Sequence, residues 1–435
     1  MGSTNDENHF MKTHLFGLIL AMFCASSLHA QMTISSENQL EIITKLSEEI
    51  KTRYFDARIA EMIADSLADI STQLTQDIRV VEFCDRVNAL LHAISNDNHL
   101  TIYQDKDMFL SYSTGEDAKK EYEYETQRNI NFGFTKVEIL DGNIGYINIM
   151  RCSSFIGEVV AQKIASAMNL VENTNALIID LRYNMGGDGR VAEILETYFY
   201  PEENLVIFDS TTQSHRFKVL PFVIGKRYLN RPVYVLTGLS TFSAGEAIAG
   251  GLQSGKKAIV VGVKTKGGGN PGRSVPLVYD FLSFIPTSAG VTDEKASVKP
   301  DILSSQDDAL HYAKRHYFQG KLKQVTSDGE KEIIDWNLKT IEYLLGSYPK
   351  NLPLDKNICG KYENERNVYS KGGKVYIQIK DKEHEMLQID SNEFVVLGFE
   401  DAFGKGNRRI IFSKGQLEDY ILIGGGIMKK VMKKL

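Results

Sequence analysis

The stretch Val233-Tyr-Val-Leu-Thr-Gly-Leu-Ser-Thr-Phe-Ser243-Ala-Gly-Glu246 constrains this chain more than any other. An apolar, β-branched run ends in small polar residues, and Ala247 to Leu252 can start a helix at once. That order reads as strand, tight turn and helix, with Ser243 at the turn. The geometry lifts a hydroxyl above the carboxyl edge of a sheet, where open α/β folds hold their sites. It also aims the first free N–H groups of the helix at whatever sits on Ser243. A nucleophile beside an oxyanion site is the minimum equipment for acyl transfer. The same letters, Ser243-x-x-Glu246, also spell a capping box that only satisfies an orphan N–H of its own helix. Taken alone, the stretch leaves both readings open.

Length and charge narrow the context. A chain of 435 residues holds two or three domains, and 43% hydrophobic with 24% charged residues is ordinary for a globular protein. A formal charge of −6 argues against nucleic acid or an anionic membrane surface as the main partner. Beyond the N-terminus no apolar run is long enough for a transmembrane span. Residues 1–30 read as a secretory signal preceded by a short extension, with a basic start at Lys12, an apolar core and a cut after Ala30. Phe23 before Cys24 does not suit a lipoprotein box. The expectation is an exported protein, periplasmic in a Gram-negative cell. Cys84, Cys152 and Cys359 form no disulfide framework and no metal spacing, and read as small buried hydrophobes.

Read in order, residues 31–100 have helical periodicity and predict a small bundle. The bundle ends in Ser95-Asn-Asp-Asn-His99-Leu100, a turn cluster that sets His99 at an element boundary. Residues 104–130 are polar and Tyr-rich and read as an irregular excursion. From 131 strands alternate with helices, which predicts a parallel-rich sheet with covered faces in a core running from 101 to 316. Within it, Asn184-Met-Gly186-Gly187 follows a sheet strand and can bring bare N–H groups to a ligand. Glycines that only make a tight turn explain the loop equally well. Asp307 to His316 closes the core as a helix. Its two histidines miss the i, i+4 step of a metal pair, so no metal and no cofactor is expected. A helical linker covers 317–355, and short alternating strands from 356 to 435 predict a small all-β domain.

Several of these motifs, in this order, resemble the serine peptidase superfamily of C-terminal-processing peptidases, the tricorn protease core and interphotoreceptor-retinoid-binding-like modules. The likeness rests on Asp97-Asn-His99-Leu, Ile144-Gly-Tyr-Ile, Ile179-Asp-Leu-Arg-Tyr-Asn-Met-Gly-Gly187, Thr241-Phe-Ser243-Ala-Gly-Glu246 and Val298-Lys-Pro300-Asp301-Ile, and covers about 36–316. It implies an α/β, crotonase-like core with Ser243 as nucleophile. Processing peptidases pair that serine with a lysine in a Gly-Lys-Gly step. Here the matching turn is Gly267-Gly268-Gly269, with Lys266 out of register. They often carry a PDZ domain, for which 100–143 leaves no room. The tricorn-like branch uses an N-terminal histidine, matched by His99, and a glutamate before Pro-Asp, matched by Glu294. Asn98 and Ser297 depart from that pattern. The resemblance thus implies Ser243 as nucleophile, His99 as base and Glu294 as the group orienting it. Ala244 with the Gly186/Gly187 loop would form the oxyanion hole. The β domain resembles lipocalin-like domains appended to exported bacterial peptidases.

The physical logic suits that choice, since a serine hydroxyl needs a base that titrates near neutral pH, at about 6.5 for an ordinary histidine. The expected substrate is a peptide or unfolded protein segment. Two rivals stand beside it: a non-catalytic module binding an apolar ligand or peptide on the same scaffold, and a Ser243–Lys266 dyad.

Overall fold

The computed structural model describes residues 32–155, 157–201, 223–290, 296–347, 352–396, 400–401, 404–405, 408–423 and 426–435. Three helices come first, α1 Ser36–Arg53, α2 Ala57–Ser71 and α3 Val80–Ser95. They are followed by β1 Thr101–Gln104, α4 Lys106–Thr114 and α5 Glu116–Asn129. The alternating part is β2 Phe134–Leu140, β3 Ile144–Ile149, α6 Glu158–Leu170, β4 Ala176–Asp180, α7 Gly189–Thr197, β5 Val233–Thr237, α8 Ala244–Ser254 and β6 Ile259–Gly262. A hairpin, β7 Gly272–Pro276 and β8 Phe281–Pro286, precedes β9 Ile302–Leu303, α9 Ala309–Leu322 and α10 Asp328–Leu344. The chain divides into two compact units that interleave in sequence. One runs to Asn129 and takes in Lys266–Ser297, and the other comprises Ile130–Thr265 and Val298–Leu435.

In the first unit the amphipathic faces of α1 to α3 close on a three-stranded antiparallel sheet in the order β1-β8-β7. Ile42, Leu46, Ile63, Phe83 and Leu91 share one core with Val275, Phe281 and Ile285. Burying each such side chain stabilises by about 1.5–3 kcal/mol. Asp56 starts α2 by accepting the N–H groups of Arg58 and Ile59. At the far end, α3 stops at Asn96, whose left-handed φ of 49° turns the chain into Asp97-Asn98-His99.

The irregular excursion expected at 104–130 is corrected: it is two helices, α4 and α5. The apolar periodicity that would have announced them is absent, since Gln127 is the one buried residue of α5. They are held instead by polar contacts. Asp105 caps α4 by accepting from the Met108 N–H at 2.9 Å, and the Tyr112 hydroxyl donates to Glu123 across the pair at 2.7 Å.

The second unit is built on a six-stranded sheet in the order β9-β6-β5-β4-β3-β2, parallel except for the antiparallel edge strand β2. All of β4 and β5 is buried, which explains their continuous apolar sequences. One face, with Ile147, Ile179, Val235 and Val260, packs on Ile164, Leu195 and Ile248 of α6, α7 and α8. The other face, with Tyr146, Ile178, Tyr234 and Leu236, packs on Ala313, Phe318 and Ile341 of α9 and α10. This is the covered parallel-rich α/β sheet expected from the alternation.

The all-β domain also matches expectation. Eight strands, β10 Gly360–Tyr362, β11 Arg366–Lys371, β12 Lys374–Ile379, β13 Lys382–Asp390, β14 Glu393–Val396, β15 Arg408–Ser413, β16 Gln416–Ile423 and β17 Gly426–Lys433, form one antiparallel meander. A Tyr362–Lys434 bridge brings its two ends together. Alternate residues fill the interior, among them Val368, Ile377, Met386, Phe394, Ile410 and Leu417. Arg408 and Asp419 are buried in the same domain as an ion pair at 2.6 Å.

Candidate active site

Ser243 stands between β5 and α8 with φ 51° and ψ −118°, a conformation that a residue with a side chain adopts only under constraint. Such a geometry costs of order 1–3 kcal/mol and persists where surrounding bonds over-determine it. Three bonds do so here. Phe242 N–H donates to the Asn184 carbonyl at 3.0 Å, and Thr241 Oγ1 donates to the Leu181 carbonyl at 2.7 Å. Ser243 N–H donates to Glu246 Oε2 at 2.8 Å, the carboxylate arm of a capping box. Glu246 is 3% exposed. Its other oxygen takes the Thr265 hydroxyl at 2.5 Å, and Thr265 Oγ1 itself accepts the Val298 N–H at 2.7 Å. A buried chain of hydrogen bonds thus ties the Ser243 turn to the residues that follow β6 and precede β9.

The glycine loop after β4 abuts this turn. A Cβ on Gly186 would lie 2.7 Å from Ser243 Cβ, and one on Gly187 only 1.5 Å from the Cys152 carbonyl oxygen. With φ of 87° and 138°, these are positions where glycine is required by both backbone and space. The two glycines differ in what their N–H groups do. Gly186 N–H donates to Asn184 Oδ1 at 2.8 Å. The Gly186 carbonyl accepts from Cys152 N–H at 2.9 Å. A planar trans peptide then turns the Gly187 N–H to the opposite side. No acceptor for it is found among the described residues, and Gly187 is exposed. Ala244 N–H, at the start of α8, is likewise without an intrahelical partner.

The other candidate residues belong to the first unit. His99 is buried, its N–H donates to Asp97 Oδ1 at 3.0 Å, and its ring lies 5.5 Å from that of Phe284. Asp97, 1% exposed, also accepts from the Tyr54 hydroxyl and Asn270 Nδ2, at 3.2 and 2.9 Å. Asn98 Nδ2 donates to the Gly267 carbonyl at 2.8 Å. The departure from the tricorn-like pattern at Asn98 is therefore a side chain that anchors the glycine turn. Lys266 is exposed. Glu294 lies outside the described residues, as do the signal segment and Cys24.

Sequence reasoning did not single out Asn184, Thr265 or Asp97 as site residues. Only Asp97 carried a local signal, an Asx side chain two residues before His99. Cys152 is fully buried, as expected, and burial pushes its thiol up to about 12. Cys84 and Cys359 are half-buried, and all three thiols are free. Among the described residues no group of His, Cys, Asp or Glu could hold a metal ion. Nor is any helix among them long and apolar enough to cross a membrane.

Residues 143–303 match Peptidase family S41. That span contains Ser243, Ala244, Gly186, Gly187 and Glu294, while His99 precedes it. Over 129 residues the chain is 30% identical to the carboxyl-terminal-processing protease of Synechocystis sp.. The similar stretch covers 29% of this chain and 29% of that relative, so less than a third of the curated protein's length is matched. Among solved structures, the photosystem II D1 C-terminal processing protease is 13% identical, covering 62% of this chain and 94% of its own, with a TM-score of 0.35. The tricorn protease is 12% identical, covering 71% and 37%, with a TM-score of 0.40.

Proposed function

We propose that the protein is an exported serine endopeptidase that hydrolyses peptide bonds in peptides or unfolded protein segments through an acyl-enzyme on Ser243. The observation that carries this reading is the constrained Ser243 beside two N–H groups, those of Ala244 and Gly187, for which no acceptor is found among the described residues. The match of residues 143–303 to a peptidase family supports it. In this reading His99 is the general base and acid, and Glu294 orients its imidazole. In this reading the peptidase has no PDZ domain, and helices α4 and α5 lie within the span 100–143.

The steps follow from those roles. Ser243 Oγ attacks the substrate carbonyl carbon while His99 takes the hydroxyl proton. The carbonyl oxygen becomes an oxyanion facing the Ala244 and Gly187 N–H groups. Collapse breaks the C–N bond, and the imidazolium returns its proton to the leaving amine. Water, activated by the same histidine, then releases the acyl group. Each oxyanion donor is expected to contribute about 3–4 kcal/mol to transition-state stabilisation.

The test is mass-spectrometric mapping of the mature protein after a fluorophosphonate probe, with Ser243→Ala and His99→Ala beside it. A tag on Ser243 that vanishes in His99→Ala, together with peptide hydrolysis lost in Ser243→Ala, is expected. A tag that survives in His99→Ala would transfer the base to another group such as Lys266. If the wild type is not labelled and co-purifies with lipid, the non-catalytic binding module takes its place.

A further inference from the structure

We propose that Asn184 is a positioning residue that presents the Gly187 N–H to the oxyanion, an inference that rests on the peptidase reading above. Asn184 is completely buried, at 0% exposure, between the end of β4 and the glycine loop. Its side chain is a full cross-brace. Nδ2 donates to the Ile149 carbonyl at the end of β3 at 2.9 Å, and Oδ1 accepts the Gly186 N–H at 2.8 Å. Its backbone carbonyl accepts the Phe242 N–H at 3.0 Å, so the same residue also holds the turn that carries Ser243. A single residue therefore links three chain segments: its side-chain amide joins the end of one sheet strand to the glycine loop, and its backbone carbonyl holds the nucleophile turn.

The consequence for catalysis follows from peptide geometry. With Gly186 N–H held by Asn184 and Gly186 carbonyl held by Cys152, both ends of that glycine are fixed. The plane of the Gly186–Gly187 peptide then has no freedom left, and its N–H points away from Cys152. Without the Asn184 amide, Gly186 could rotate through the wide φ range open to glycine, and the Gly187 donor would lose its direction. A donor aimed in advance pays no reorganisation during the reaction, so the loss falls on the transition state and not on substrate binding. Asn184 itself touches no reacting atom in this scheme.

The experiment compares wild type, Asn184→Ala and Asn184→Asp in p-nitrophenyl acetate hydrolysis, with rates divided by the active sites that a fluorophosphonate titrates. Inhibition by phenylboronic acid, whose tetrahedral adduct resembles the oxyanion intermediate, is measured in parallel. Asp is isosteric with Asn and keeps an acceptor for Gly186 N–H but loses the donor to Ile149. The expected result is a fall in kcat of about 10²–10³-fold in Asn184→Ala with KM changed less than about threefold, and a matching loss of boronate affinity. Asn184→Asp is expected to fall between the two. If either folded variant retains wild-type kcat per titrated site, the positioning role is overturned. A merely structural residue would lower the titratable fraction and leave kcat per site unchanged, which also overturns it. Failure of the peptidase reading is seen separately, as a wild type with no titratable Ser243.

Discussion

The carboxylate of Glu246 accepts the backbone N–H of Ser243 at 2.8 Å, three residues along the chain. That bond is the capping box visible in the sequence, and it holds the strained serine from behind while leaving the Ala244 N–H available. Capping is thus compatible with the proposed role of Ser243, since it supplies a constraint on the serine backbone.

The far end of that carboxylate supplies the first prediction. Thr265→Val removes the hydroxyl that bridges Glu246 and Val298 and leaves the buried Val298 N–H without this acceptor. A loss of about 1–3 kcal/mol in stability is expected, with a lower kcat, while Thr265→Ser stays close to wild type. Urea unfolding and hydrolysis rates on the three proteins check it. Equal stability of Thr265→Val and wild type would remove the bridge from the account.

Gly187→Ala is the sharpest steric test. The added methyl would meet the Cys152 carbonyl oxygen at 1.5 Å in a backbone at φ 138°. The loop must move, at a cost of about 2–6 kcal/mol, and fluorophosphonate labelling of Ser243 should slow by at least about tenfold. Labelling at the wild-type rate would mean that Gly187 is not the donor.

A pH prediction comes from Glu196 on α7. It is 2% exposed with no hydrogen-bond partner found for Oε2, and burial, then the neighbouring Glu193, holds its carboxyl well above the usual glutamate range. The folded state therefore binds a proton that the unfolded chain releases near its ordinary value. Stability from this group is complete below that value and is lost as pH rises toward the folded one, by up to about 1.4 kcal/mol per pH unit. Glu196→Gln should raise Tm between pH 6 and pH 8 and flatten its decline with pH. Parallel melting curves for the two proteins decide the matter.

In the β domain, Asp419 is fully buried and ion-paired with Arg408. Asp419→Ala strips this carboxylate from a buried guanidinium and should cost about 3–5 kcal/mol. Calorimetric unfolding of the full chain is the measurement, and a change under about 1 kcal/mol would show that the pair is not a structural anchor.

Much of this protein was legible in one dimension. Strands β4 and β5 announce themselves because a sheet covered on both faces selects continuous apolar runs, and strands such as Lys374–Ile379 of the C-terminal domain alternate because one side faces the interior. The turn at Ser243 and the loop at Gly186 and Gly187 could be read because glycine and small polar residues report local backbone needs directly. Helices α4 and α5 escaped that reading, since a helix that buries almost nothing leaves no periodic apolar trace.

What tertiary structure alone decided is who bonds to whom. Gly186 and Gly187 are neighbours of identical chemistry, yet one N–H is taken by Asn184 and the other finds no acceptor among the described residues. Thr265 reaches Glu246 across 19 residues, and the hairpin of β7 and β8 joins the core of the N-terminal helices. Propensity and periodicity act over a few residues. Hydrogen-bond partners are fixed by distances of a few ångströms between segments far apart in the chain, and only the folded molecule sets those.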